Sequence, residues 1–347
     1  MLATTPATPQ SAPQSSAPQS WTRTLAAYRE PSVLRSLVEL AVTAGPLLLI
    51  VALSWAFHAR GWWGASLALS LPAGAFLLRM FMIQHDCGHG SFFRDKRAND
   101  WLGRAVGVLT LTPYGYWRHT HAVHHASSGD LDRRTLGAIE MMTVAEYRAM
   151  PRLQRLGYRL YRHPLTMFGV GPAYMFLLQQ RLPIGMMKAG WAPWISAMGT
   201  NLAVVALVAL ALAFGGAGPL LLTYLPAVLL AASVGVWLFY VQHQFETTYW
   251  ARRPDWRMEE AALEGSSHYD LPPVLRWITA NIGLHHIHHV SSRIPYYRLR
   301  EALIDHPELE AKSRLTLGES LRCVPLTLWD EETRRLVSFR QATRLAA

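Results

Sequence analysis

The chain carries four apolar stretches long enough to cross a bilayer, at about 36–57, 62–83, 194–214 and 219–241, arranged as two close pairs around a polar middle. A membrane helix rises about 1.5 Å per residue, so about 20 apolar residues cover a hydrocarbon core of about 30 Å. A tight turn joins each pair, His58-Ala59-Arg60-Gly61 in the first and Gly215-Gly216-Ala217-Gly218 in the second. Trp62 and Trp63 fit an interfacial anchor and Gly45-Pro46 a kink. Glu39 and Arg79 lie near span ends, where the first can stay at headgroup level and the second can snorkel.

Outside the spans, residues 102–117 and 166–180 are apolar but too short to cross. The first is expected to pack at the interface or against a polar cap, the second to form a monotopic helix or a tunnel wall. Residues 21–35 mix aromatics with Arg23, Arg29 and Arg35, as an interfacial segment would, and residues 271–282 are amphipathic. The first 20 residues, dominated by Pro, Gln, Ser, Thr and Ala, read as a disordered tail. The expected fold is an all-α integral membrane protein with one domain over 21–347. Four transmembrane helices carry a helical cap built from 84–193 and 242–347.

Composition and charge sharpen this picture. Hydrophobic residues make up 51% and charged residues 16%, against about a quarter charged in soluble proteins. The net charge of +10 comes from basic residues scattered around the apolar runs, and no nucleic-acid motif is present, so anionic lipid headgroups are the expected partner. Lys plus Arg number 14 in residues 84–191 and 14 from residue 251 onward, against Arg60 alone in the two turns. The positive-inside rule then puts the turns outside and both termini and the cap in the cytoplasm, with a bacterial inner membrane as the expected location. Cys87 and Cys323 give no disulfide framework, which suits a reducing compartment.

The candidate chemistry sits in three histidine clusters: His85-Asp86-Cys87-Gly88-His89, His121-Ala122-Val123-His124-His125 and His285-His286-Ile287-His288-His289. Residues three and four apart share a helix face, so His85, His89, His121, His124, His125, His285, His288 and His289 have metal-ligand spacing. Eight imidazoles exceed what one four-coordinate zinc uses and suffice for two metals. Cys87, inside the first cluster, reads as a small packing residue. Span parity brings Val241-Gln242-His243-Gln244-Phe245-Glu246 out at the face where His85 emerges, so His243 is a ninth candidate. As a helix-end residue it also fits a cap on the dipole, and Gln242 and Gln244 are placed to orient its ring. Glu-x-x-His and His-Glu-x-x-His are absent, which argues against a soluble-type carboxylate di-iron bundle and a zinc protease.

The first cluster with Gly90-Ser91-Phe92-Phe93, Trp117 to His125 with Leu131-Asp132-Arg133-Arg134, Val241 to Glu246, and Asn281-Ile282-Gly283-Leu284 to His289 resemble the membrane fatty acid desaturases. The nearest likeness is to the acyl-lipid desaturases of the Δ12 and ω-6 type, over about residues 36–299. Where His268 stands, in Gly265 to Pro272, the pattern leads one to expect an aromatic. The resemblance implies an enzyme whose two iron ions use O2 and two electrons to place a cis double bond in a fatty acyl lipid. The electrons would come from a separate carrier of the ferredoxin or cytochrome b5 type, since no fused cytochrome domain is visible. An unactivated methylene has no acidic proton, so side-chain acid-base chemistry cannot reach it, whereas a metal-based oxidant can.

Asp86, Asp132, Glu246 and Asn281 are expected behind the ligands, with carboxylates accepting from the far ring nitrogens. His119 and His286 lie off the shared faces, and His58, His163 and His306 lack such context. The alternative on the same metal chemistry is a hydroxylase or ketolase acting on an alkane, sterol or carotenoid. A transporter would carry ionisable residues at mid-membrane, and the spans have none beyond Glu39 and Arg79 near their ends.

Overall fold

The computed structural model describes residues 20–134, 137–310 and 313–344. The expected tail over 1–20 falls outside them except for Ser20. Among the described residues four helices are long and apolar enough to cross a membrane: Val33–Ala59 (α1), Trp63–His89, Trp191–Gly215 and Leu220–His243. The second comprises a short helix at Trp63–Ala68 and then Ser70–His89 (α2). Between the pairs lie Lys96–Leu109 (α3), Tyr114–Ser127 (α4), Arg152–Tyr161 (α5) and Gly171–Leu177 (α6). The third span is α7, and the fourth opens with a π-helical turn at Leu220–Tyr224 and continues as Leu225–His243 (α8). The cap adds His285–Val290 (α9).

The second span is the centre of the bundle. It packs against α1, α3 and α8, and 56% of its most apolar window is buried, against 11% for α7. An apolar surface gains nothing from burial when lipid is the alternative, so small polar groups help to tie the spans. Ser54 bonds Ser66 and Thr223, with oxygens 3.0 and 2.5 Å away, which links three spans.

Glu39 and Arg79 take a different course from the one their positions near span ends predict. Both are buried and pair with each other, while Arg79 also bonds Thr43 and the Trp277 carbonyl and lies 4.1 Å from the centroid of the Trp277 ring. A charge with a counter-ion on a neighbouring helix need not reach the headgroups.

Helices α3 and α4 form a hairpin that lies against α2. Asp95 caps α3 by accepting from the Arg97 and Ala98 amides. Tyr114 donates to the Cys87 carbonyl at 2.8 Å, and Gln84 accepts from Thr110 at 2.7 Å and donates to the Thr112 carbonyl. These bonds dock the second histidine cluster on the first.

Residues 21–35 also pack on the cap. Leu25 and Tyr28 are buried against the cap, Tyr28 donates to Asp305 at 2.7 Å, and Arg29 donates to Ser291 at 2.9 Å. Polar partners far along the chain tie this segment to the cap, while Val33 and Leu34 stay exposed. Among the described residues the helical cap also contains five short strands: Met142–Thr143 (β1), His268–Asp270 (β2), Arg314–Thr316 (β3), Leu328–Asp330 (β4) and Arg335–Val337 (β5). β1 and β5 flank β4, and β2 pairs β3 in parallel.

Candidate metal centre

Each histidine cluster sits on a helix end, where the i, i+4 spacing delivers imidazoles in pairs. His85 and His89 lie on the last two turns of α2, which Gly90 ends in the left-handed region, φ 66°, that favours glycine. A Cβ at Gly88 would meet the Trp117 ring at 2.8 Å, so glycine lets this turn lie against α4. Trp117 stacks on His121, with centroids 4.7 Å apart and planes 15° from parallel. The second cluster closes α4, the third makes up most of α9, and His243 is the last residue of α8.

Together these ends bring nine imidazoles into two groups. His85, His89, His121, His125 and His288 form one, and His124, His243, His285 and His289 the other, with one ring nitrogen of each within 4.8 Å of all the others in its group. In the first group the Nε2 atoms of His89 and His121 are 3.1 Å apart, those of His121 and His125 3.1 Å, and those of His125 and His288 3.2 Å. In the second, His243 Nε2 is 3.1 Å from that of His124 and 3.0 Å from that of His285, and His285 is 3.1 Å from His289. A metal about 2.1 Å from each imidazole nitrogen sets neighbouring nitrogens about 3.0 Å apart in an octahedron and about 3.4 Å apart in a tetrahedron. The observed edges fall in that range, so the all-imidazole set fits two iron ions.

Burial first, and neighbouring imidazoles second, hold His121, His124, His125, His285, His288 and His289 well below the usual histidine pKa. They are therefore neutral at physiological pH, which leaves each a lone pair for a metal. The rings of His85 and His243 are fixed through the second nitrogen. His85 Nδ1 lies 3.2 Å from Asp86 Oδ1, and the other Asp86 oxygen accepts from the Tyr296 amide at 2.7 Å. His243 Nδ1 lies 3.1 Å from the Gly265 carbonyl oxygen. Among the described residues, Nδ1 of His124, His125, His285 and His288 has no hydrogen-bond partner.

Of the four polar residues expected behind the ligands, Asp86 alone reaches one. Asp132 pairs with Arg252 at 2.9 Å, and the exposed Glu246 pairs with Arg335 at 3.4 Å. Asn281 donates to the Tyr296 carbonyl at 3.2 Å. Each lies close to a cluster in sequence, but the chain turns its side chain toward a cap partner. Gln242 and Gln244 are likewise committed, one to the Ile282 carbonyl and the other to Arg162, so a backbone oxygen orients His243 in their place. His119 is exposed, and His58, His163, His286 and His306 lie outside both groups. Cys87 is buried and also outside both, consistent with packing.

Sequence reasoning missed Gly265 and Tyr296 as holders of the site. Both act through the backbone, which leaves no residue-type signal. Trp117 was legible as part of a motif, though nothing in the sequence revealed its stack on His121.

A cavity of about 1040 Å³ runs along the imidazoles, with His85, His121, His124, His243 and His285 in its wall. Its apolar lining comes from Leu77 and Phe81 of α2, from Val228 and Phe239 of α8, and from Met167 and Met175 in the 166–180 stretch. That stretch, a π-helical turn followed by α6, walls the cavity with Met167, Tyr174 and Met175, while Val170 and Leu178 are exposed and outside the lining. The polar lining comes from the cap and includes Arg133, Arg134, Glu140 and Glu146.

The profile of the Fatty acid desaturase family matches residues 60–319 of this chain. A protein of Bacillus subtilis described as "Fatty acid desaturase" is 43% identical over 319 residues, 92% of this chain and 90% of its own length. A Synechocystis "sn-1 acyl-lipid omega-3 desaturase (ferredoxin)" is 30% identical over 79% of this chain and 75% of its own length. A second Synechocystis protein, "sn-1 oleoyl-lipid 12-desaturase", is 26% identical over 66% of this chain and 64% of its length.

Proposed function

The chain belongs to the fatty acid desaturase family, and from that premise we propose that it acts on acyl chains held in membrane glycerolipids, at the cytoplasmic face, with a ferredoxin or cytochrome b5 type carrier. The activity is O2-dependent desaturation at a histidine-ligated di-iron centre. Two C–H bonds break and one C=C bond forms, while O2 takes two electrons from the substrate and two from the carrier and leaves, with protons, as two waters. When bound, the iron ions supply the oxidising power that an unactivated methylene requires.

The chain's own residues do the rest in this reading. His85, His89, His121, His125 and His288 hold one iron, and His124, His243, His285 and His289 the other. Asp86 and the Gly265 carbonyl keep the proton on Nδ1 of His85 and His243, so that Nε2 faces the metal. The apolar wall of α2, α8 and the 166–180 segment aligns the substrate and excludes water from the oxidant. Residues 21–347 act as one domain, with the basic cap on the cytoplasmic side. The excess of Lys and Arg in the cap supports that orientation, and it suits an acidic electron carrier. The Synechocystis relatives, described as acyl-lipid desaturases and one of them with ferredoxin, support the lipid-bound substrate and the carrier.

The observation that carries this reading is the cavity, apolar along the spans and directly walled by five of the imidazoles. Expression in a host without desaturases, followed by analysis of its glycerolipid acyl chains, tests it. A new cis-monounsaturated chain in the lipid fraction is expected. A hydroxylated product, or unsaturation confined to soluble thioesters, would overturn it.

A further inference from the structure

Helix α5 lies beside the cavity, with Met150 just before it and Tyr161 at its end both in the cavity wall. At 3.6 residues per turn, Leu153, Leu156 and Leu160 fall within an arc of about 60°. All three are exposed, Leu153 at 78%. Past the helix Leu165, 73% exposed, is followed by the exposed Val170 and Leu178 of the segment that walls the tunnel. Arg152, Arg155 and Arg159 occupy the next arc of about 60°, and Tyr158 faces inward, where it donates to the Thr327 carbonyl at 2.8 Å.

An apolar stripe flanked by arginines is the pattern of a helix lying in the headgroup layer, with its leucines among acyl chains and its cations at the phosphates. The cations are also available. Arg159 is held by Tyr147, but the side chains of Arg152 and Arg155 have no hydrogen-bond or ion-pair partner among the described residues. Neither has the side chain of Arg133, which is exposed and lines the cavity, whereas its neighbour Arg134 is committed to Glu146 at 2.7 Å. Arg133 thus lines the cavity itself, and Arg152 and Arg155 stand free on the helix that Met150 and Tyr161 tie to its wall, beside an exposed leucine stripe.

We propose that α5 and Arg133 form a headgroup-recognition surface that selects phospholipids of net negative charge and feeds their acyl chains into the cavity from the bilayer. This rests on the membrane-lipid reading above and narrows it to a headgroup class. The leucine face favours a lipid over a soluble phosphorylated thioester, because a soluble substrate would leave that surface in water. Each basic residue near an anionic surface adds attraction that falls off within a Debye length.

The test uses the iron-loaded enzyme in vesicles of phosphatidylglycerol and phosphatidylcholine in equal amounts, each with a differently isotope-labelled saturated chain. The readout is the ratio of labelled monoene in the two lipids. At low salt phosphatidylglycerol should be favoured by about tenfold, and the preference should shrink toward parity near 1 M salt, where the Debye length is about 3 Å. Replacing Arg133, Arg152 and Arg155 by Gln should lower the ratio below about twofold, and replacing all three by Lys should restore it. Equal use of the two lipids by the unmodified enzyme, or an unchanged preference in the Gln variant, would overturn the proposal while leaving the membrane-lipid reading intact. Product from an acyl thioester with none in either lipid would overturn that reading as well. If the Gln variant fails to accumulate in the membrane, the unmodified enzyme's ratio and its salt dependence decide.

Discussion

The two imidazole groups draw on the same clusters in opposite proportions. The 121–125 cluster gives His121 and His125 to one group and His124 to the other, while the 285–289 cluster gives His288 to the first and His285 and His289 to the second. The i, i+4 pair stays together and the residue between them crosses over, so α4 and α9 must face each other for either group to form. The groups then diverge. The first gains a whole pair, His85 and His89, and the second gains only His243. His89, His121 and His125 are half-buried, but every member of the second group is buried. The first group thus has five imidazoles with some access from outside, and the second has four and no spare.

That difference orders the expected effects of substitution. The largest belongs to the smaller group: His243→Ala leaves three imidazoles, and turnover should fall at least about a thousandfold with loss of about one iron per chain. His163→Ala, outside both groups, should change neither. His89→Ala leaves four imidazoles in the first group and should cost less iron than His243→Ala, measured by metal analysis of purified, membrane-inserted protein. Equal iron loss in the two would break the contrast between the groups.

Next comes Asp86, whose carboxylate lies against Nδ1 of His85. Asp86→Asn should lower iron affinity or activity about 10- to 100-fold, read from activity against added iron. Smaller again are changes to the tunnel wall that leave the groups untouched. Ala232→Phe or Met175→Trp should shift the product profile toward shorter acyl chains, with total turnover reduced less than about tenfold, as gas chromatography of the lipid acyl chains would report. The smallest effects belong to Asp132→Asn and Glu246→Gln, whose partners are exposed arginines. Turnover in each should stay within about twofold of the parent enzyme.

Much of this contrast was legible in the sequence because it rests on helical periodicity. The spans follow from apolar run length, and His85, His89, His121, His125, His285 and His289 announce themselves by i, i+4 spacing. What periodicity cannot convey is which group a residue joins, since His124 and His288 cross over only when α4 and α9 are packed together. Asp132, Glu246 and Asn281 were misplaced for a related reason: nearness in sequence to a ligand does not fix the direction of a side chain in a loop. The pairing of Glu39 with Arg79 was hidden because each, taken alone, has an adequate solution at the membrane surface. Burial becomes available only when two spans bring the charges together.

The central claim is that the two groups hold one iron each. Metal analysis of the purified enzyme, produced with iron and without added zinc and scored beside its turnover, tests this most directly. The account predicts close to two irons per chain, with turnover that disappears and returns as iron is removed and restored. A stoichiometry near one, or turnover independent of iron, would contradict it.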